Sequence, residues 1–368
     1  MNDRIRFQRP TFPDLEDIAR YFAASREKRW FSNNGPCVEF LTARLGTRTG
    51  CAALPVASGT LGLVVALAAV RSRRPAGTEV LLPSFTFPAV AQAAIWNGLQ
   101  PVFVDIDPTS WHLCPTALEA ALSERGERVA AVMAGASFGT PPASVTRNEW
   151  EALCRDADVP LLVDSAAGFG ATADDGVAVG GQGDVEIVSF HATKPMAIGE
   201  GGAIFSTDPS LIDSCALLAN FGLGSDRVVQ TIHGINAKLD ELHAATALAA
   251  LDRFDDALAR RRQAARALIE RVTPTLEPQA GHENATFQFV PVLARTAADR
   301  AHILQRASSE VELRTYYEPL HLMPAFAGVE RVGSLAVTED VGARILSLPM
   351  AEDLTADELD RIAAAVTP

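Results

Sequence analysis

Lys194 stands at the exit of a short apolar run and just before a Gly-rich stretch, in the segment VEIVSFHATKPMAIGEGGAIFS (residues 185–206). A lysine amine is protonated and non-nucleophilic at its ordinary pKa. It attacks a carbonyl only where burial or nearby positive charge lowers that value. So placed, Lys194 is a candidate Schiff-base lysine, although a lysine at a strand end is more often simply exposed. It therefore needs partners.

Asp164 is the first, at the end of VPLLVDSAAGFGA. A carboxylate there can pair with a protonated pyridine nitrogen, which turns the ring into an electron sink for a carbanion; equally, Asp-Ser before Ala-Ala-Gly can be a helix N-cap. In VASGTLGLVVALAAV, Ser58, Gly59 and Thr60 open an apolar helix over about 61–70. Its unpaired N–H groups and dipole suit a phosphate, or the residues are an ordinary cap. Phe85 and Phe87 in PSFTF could lay a ring on a flat cofactor, or pack in the core. A reactive lysine, a carboxylate, a phosphate cradle and a stacking ring are what pyridoxal phosphate chemistry requires.

The elements that must position these groups read as an α/β alternation from about residue 50 to 250. Val185, Ile187, Val188 and Phe190 form a β-rich run broken at His191, and AIFS resumes as a second strand after the glycines. Further strand candidates are 79–82, 101–105, 129–133 and 159–163, with 202–206 after the lysine. ALEAALSERG and RNEWEALCRDA have helical periodicity between them. The pattern predicts a parallel sheet with helices on both faces, with the chemistry at the strands' carboxyl ends. Residues 240–271 read as one or two long helices, in which Arg260, Arg261 and Arg262 are most simply a solvated face. Beyond them, FQFVPVLA, a helix through ADRAHILQRAS, VELRTYYEPLH and a helix at 355–366 suggest a small α+β domain.

In this order, SGTLGL, PSFTF, PVFVDID, VDSAAGFGA, SFHATK with GEGG, GINAKLDEL, RTYYEPLH and LSLPM resemble the DegT/DnrJ/StrS sugar aminotransferases over nearly the whole chain. SFHATK followed by GEGG is the most specific part. The resemblance implies a fold-type-I pyridoxal phosphate aminotransferase: a large domain over 1–255 with a mainly parallel sheet, and a small C-terminal α+β domain over 256–368. It implies that Lys194 forms the Schiff base and moves the proton, that Asp164 partners the pyridinium nitrogen, and that Phe87 stacks on the ring. Gly59, Thr60 and Ser189 would touch the phosphate. Asn236 would reach the cofactor phosphate of a neighbouring copy, hence a homodimer with shared sites. Tyr317 and His321, with Arg29, Trp30 and Asn33, become candidates for sugar or diphosphate contact, Tyr316 and Tyr317 also reading as packing under a loop. Ala167 departs from the family, which often has Gln, His or Glu there. Related sugar dehydratases carry histidine in place of the lysine, so Lys194 favours transamination.

Composition is compatible with this. The chain has 368 residues, 48% of them hydrophobic, enough for more than one domain and a large core. A net charge of −13 argues against nucleic-acid or anionic-membrane partners and requires a local basic patch for an anionic substrate. Five scattered cysteines suggest buried thiols in a reducing compartment. No paired histidine spacing predicts a catalytic metal, and no G-x-G-x-x-G follows the first strand. The N-terminus has no apolar signal segment and no run approaches the ~20 residues of a membrane span, so a cytoplasmic protein is expected. The expected activity is transfer of an amino group from glutamate or glutamine to a keto group of a nucleotide-linked deoxysugar. Alternatives are a keto-cyclitol acceptor, or a non-catalytic pyridoxal-fold protein that senses a ligand.

Overall fold

The computed structural model describes residues 4–367. In its first part the strands are β1 (Ala52–Val56), β2 (Glu79–Pro83), β3 (Gln100–Val104), β4 (Val129–Gly135), β5 (Leu161–Asp164), β6 (Val185–Ser189) and β7 (Gly202–Ser206). The helices among them are α1 (Leu15–Lys28), α2 (Pro36–Thr49), α3 (Gly59–Arg71), α4 (Pro88–Trp96), α5 (Pro115–Arg125), α6 (Ser144–Asp156) and α7 (Pro209–Ala219). Then follow α8 (Glu241–Val272), β8 (Glu277–Pro278), β9 (Val290–Leu293), α9 (Ala297–Ala307), β10 (Glu330–Arg331), α10 (Ala336–Arg344), β11 (Ile345–Leu348) and α11 (Ala356–Val366).

The large sheet has the order β1-β7-β6-β5-β4-β2-β3-β10. It is parallel from β6 to β10, whereas β7 runs antiparallel to both β6 and β1. Both faces are covered, which explains strands that are apolar nearly throughout. Along β6, Val185 and Ile187 pack into the cluster formed with α3, α4 and α7, while Val188 and the following Phe190 pack with α2 and α8. The expected mainly parallel sheet is thus present. The strand β1 was not among the sequence candidates, and β4 is longer than expected.

Register brings the ends of the central strands together. Val56 and Ser189 are both paired with Gly202, Asp164 lies beside Ile187, and Gly135 lies beside Asp164. Because β7 is reversed, its start lies at the same edge of the sheet as the ends of β1 and β6. That edge is the carboxyl end of every parallel strand, where α/β proteins open a crevice.

Helix α3 sits directly on this edge. Ser58 caps it by accepting the Leu61 N–H at 3.1 Å. A Cβ on Gly59 would lie 2.9 Å from Ser189 Cβ, and one on Gly62 would lie 3.0 Å from Ile187 Cγ2. Only glycine lets the first turn approach the strand this closely.

The smaller sheet, β11-β9-β8, is antiparallel and packs with α9, α11 and the end of α8. Residues 240–271 form a single helix, Glu241–Val272, capped by Asp240, which accepts from the N–H groups of Leu242 and His243. Residue 255, the expected domain boundary, lies inside it. The expectation of a solvated Arg260–Arg262 face is corrected. Arg260 is exposed and paired with Glu352. Arg261 Nη1 donates to the Phe287 and Met350 carbonyls, and Arg262 donates to those of Ala285, Gly170 and Asn284. Successive helical residues are about 100° apart, so three in a row cannot share one face. Burial lowers the Arg261 pKa to about 10.

A contrast between neighbours tests this brace. Arg261→Met keeps the stem's packing but leaves two carbonyls without their donor and should cost about 1–3 kcal/mol in denaturant unfolding. Arg260→Met should cost at most about 1 kcal/mol, because Arg260 is half exposed and Glu352 keeps its ion pair with Arg253; equal losses would contradict the distinction.

Candidate active site

The loops at the carboxyl edge enclose a cleft of about 420 Å³. Seven of the expected cofactor and substrate contacts line it: Gly59, Thr60, Phe87, Asp164, Ser189, Lys194 and Tyr317. They arrive from the start of α3, which supplies Gly59 and Thr60, the end of β2, the ends of β5 and β6, the turn after β6 and the segment before α10.

Lys194 is held by the turn that follows β6. Its own N–H donates to the His191 carbonyl at 2.8 Å, and the Phe190 N–H and Ala192 N–H donate to the Gly201 and Gly199 carbonyls. The Gly-rich stretch thereby folds back along the strand exit, with Gly199 at φ +97°. Partial burial lowers the amine's pKa to about 8, the Asp164 charge opposing that shift. Asp164 responds in the same sense: burial raises its pKa, while Lys194 and the Ala166 N–H, 3.0 Å from Oδ1, pull it back. For both groups loss of hydration outweighs the mutual attraction. The Ala166 bond is a local turn, and no regular helix follows Asp164 that it could cap.

Phe87 is about half exposed, at 54%, and leans on the cleft, whereas Phe85 is fully buried. Tyr317 stacks on Phe138 with centroids 4.9 Å apart and meets Phe85 edge-on at 5.9 Å. It both packs and lines the cleft. Burial pushes its hydroxyl pKa well up, helped by the Asp164 charge. Ala167 also lines the cleft, with its carbonyl accepting the Thr286 hydroxyl at 2.5 Å.

Five expected site residues, His321, Asn236, Arg29, Trp30 and Asn33, lie outside this cleft, Trp30 being exposed. His321 is engaged on both ring nitrogens, 2.7 Å from Ser84 Oγ and 3.2 Å from Glu339. Asn236 is exposed, in a segment bridged to Asn220. Arg29 and Asn33 are exposed near the end of α1, both with positive φ. Residues not anticipated as site residues also line the cleft, among them Gln8, His191, Glu200 and Gln288. The signal for Gln288 was a lone amide between two phenylalanines in FQFVPV.

Comparison with known proteins follows from this geometry. Residues 14–367 match the DegT/DnrJ/EryC1/StrS aminotransferase family. The chain belongs to this family. It is an aminotransferase. Protein Rv3402c of Mycobacterium tuberculosis is 38% identical over 99% of this chain and 89% of its own. The dTDP-4-amino-4,6-dideoxy-D-glucose transaminase of Shigella dysenteriae is 27% identical over 97% of this chain and 96% of that enzyme. The crystal structure of DesI in the presence of its TDP-sugar product superposes with a TM-score of 0.89 at 29% identity, covering 100% of this chain and 93% of DesI.

Among the described residues no helix is long and apolar enough to cross a membrane, and no group of three His, Cys, Asp or Glu is placed to hold a metal ion. The five cysteines are free; Cys37, Cys154 and Cys215 are buried, while Cys51 and Cys114 are half-buried.

The electrostatic coupling is directly measurable in the cofactor-free protein. The rate of Lys194 acylation, read by peptide mass spectrometry, should rise with pH to a midpoint near about 8. Asp164→Asn removes the charge that favours the ammonium and should move the midpoint lower; an unchanged or raised midpoint contradicts the coupling.

Proposed function

We propose that the cleft holds pyridoxal phosphate and transfers an amino group from glutamate or glutamine to the keto group of a nucleotide-linked deoxysugar. The observation that carries this is the Lys194 amine, its pKa lowered to about 8, in one cleft with Asp164 and the start of α3. The residues fit the cofactor. Gly59 has no room for a Cβ against Ser189, so the first turn of α3 and the Ser189 hydroxyl form a close pocket that matches a phosphate. Asp164 supplies a carboxylate for a ring nitrogen and Phe87 a half-exposed ring for stacking. When bound, the cofactor supplies an electron sink for the carbanion left by loss of an α-proton.

The protein's own groups supply the rest. Lys194 Nζ would hold the cofactor and is the group that takes the proton from the donor's Cα. An amine with a pKa near about 8 exists in both protonation states near neutrality, which is what a group that removes and returns a proton needs. Asp164, at the end of β5, would supply the carboxylate that faces the ring nitrogen. Tyr317 and the aromatic wall behind it limit water at the reacting carbon.

A sugar acceptor is supported by the Shigella dysenteriae relative, whose name specifies a nucleotide-linked amino sugar, and by DesI, whose structure was determined in the presence of its TDP-sugar product, and a keto-cyclitol remains the alternative acceptor. Tyr317 is the substrate contact offered by a single copy, with His321 fixing the turn that carries it through Ser84 and Glu339. Asn236, Arg29 and Asn33 would act at a site shared with a second copy. The exposed apolar side chains of Phe221, Val228, Val229 and Ile232 in the loop preceding Asn236 support such a dimer.

The test is a two-stage assay. Wild-type protein loaded with pyridoxal phosphate should lose its visible absorption band on addition of glutamate or glutamine, then regain it with a keto sugar nucleotide. Lys194→Ala should lose turnover by at least about a thousandfold, since it removes both anchor and base. Near-normal turnover in that variant would sink the proposal, and a band that responds only to keto-cyclitols would move the acceptor to the alternative. A monomer in sedimentation would remove the shared-site part.

A further inference from the structure

Among the described residues, Lys194 Nζ has one hydrogen-bond partner, Oε1 of Gln288 at 3.1 Å. Gln288 is 7% exposed and lies between the fully buried rings of Phe287 and Phe289 on the approach to β9. The Phe287 carbonyl is itself held by Arg261. A side chain from the C-terminal part of the chain thus reaches across to the amine carried by the large sheet.

The direction of the amide follows from its neighbours. The Thr193 N–H donates to His191 Nδ1 at 3.2 Å, so that nitrogen accepts and the neutral ring carries its proton on Nε2. The Thr193 hydroxyl, 2.9 Å from the same nitrogen, therefore donates to it. Its oxygen is left to accept Nε2–H of Gln288 at 3.2 Å. With Nε2 committed, Oε1 is the end of the amide turned toward Lys194.

We propose that Gln288 is a positioning residue for Lys194, holding the released amine in the cleft through a neutral acceptor whose orientation is set by His191 and Thr193. The proposal rests on the reading of Lys194 as the reacting amine. Neutrality is the point of the choice. A carboxylate at this position would stabilise the ammonium and withhold the free amine. An apolar side chain would leave the amine without its side-chain acceptor. The charged and titratable groups around the amine come from several elements. Asp164 lies at the end of β5, His191 and Glu200 on the turn after β6, and Tyr317 on the wall opposite. Arg9, Arg253, Arg261 and Glu352 border a small cavity that Lys194 and Gln288 also line. The variants below leave these groups in place, so differences between them report the amide.

The experiment is trace acetylation of the cofactor-free protein across neutral and alkaline pH, with Lys194 labelling read by peptide mass spectrometry against an unburied amine. Gln288→Glu should move the labelling curve to higher pH, slowing the reaction at pH 8 by about fivefold, as expected for roughly tenfold tighter proton binding. Gln288→Met, which removes the acceptor without adding charge, should move it to lower pH. Thr193→Val leaves Gln288 intact but frees its amide to turn Nε2 toward the lysine, and should also move the curve to lower pH. In the loaded enzyme, Gln288→Met should lower kcat about tenfold with the donor KM unchanged, as for lost positioning.

Labelling curves for all three variants that coincide with wild type overturn the proposal. If one Gln288 variant fails to fold, Thr193→Val decides. Because labelling uses neither cofactor nor substrate, it is separable from the functional reading. A wild type that never takes up pyridoxal phosphate overturns that reading, whereas coincident curves overturn this one.

Discussion

The desolvation of one amine is the constraint around which the structure is arranged. An exposed lysine would be almost wholly protonated near neutrality and inert toward carbonyls. Burial against the ends of β5 and β6, with a carboxylate in the same cleft, brings Lys194 to about 8. Burying a cation without a partner is costly. Here the cost is offset by the Asp164 charge and by the Gln288 oxygen at 3.1 Å. The carboxylate and the amide do different work: one keeps the amine from losing its proton too readily, the other fixes where the amine sits.

Sheet register makes that arrangement possible. The reversed strand β7 brings Gly202 between Val56 and Ser189, so the ends of β1 and β6 and the start of α3 meet at one point. A Cβ on Gly202 would lie 2.8 Å from the Gly59 nitrogen, and one on Gly59 would press on Ser189. The close approach of helix and strand and the opening at the start of α3 are therefore one feature. Its floor is backbone, and its specificity depends on the absence of side chains as much as on their presence. On the other side, α8 connects the two sheets as one rigid rod, and its Arg261 and Arg262 fasten the strand approach that carries Gln288.

Much of this was legible in the sequence because apolar runs ended on residues with chemistry in them: Val185–Phe190 before Lys194, Val159–Val163 before Asp164. The helix after Ser58 was legible from its cap and its apolar length. What was not legible has physical causes. Ala52–Val56 is short, contains a proline and merges with the cap that follows, so β1 did not stand out. The reversed direction of β7 is not encoded in local pattern, since the connection over residues 190–201 is long enough for either direction. The arginine run was misread because adjacency in sequence was taken for a shared face. Gln288 was passed over because a lone amide in an apolar run says nothing of what lies opposite it. Arg29, Asn33 and Asn236 lie outside the cleft.

The central claim is that Lys194 is the amine that takes the cofactor. The most direct measurement is borohydride reduction of the protein after incubation with pyridoxal phosphate, followed by peptide mapping. The account predicts one dominant adduct, on the peptide containing Lys194, formed at substoichiometric cofactor and absent from Lys194→Ala. Adducts spread over surface lysines, or a dominant adduct on Lys238 or Lys28 with Lys194 unmodified, would contradict it.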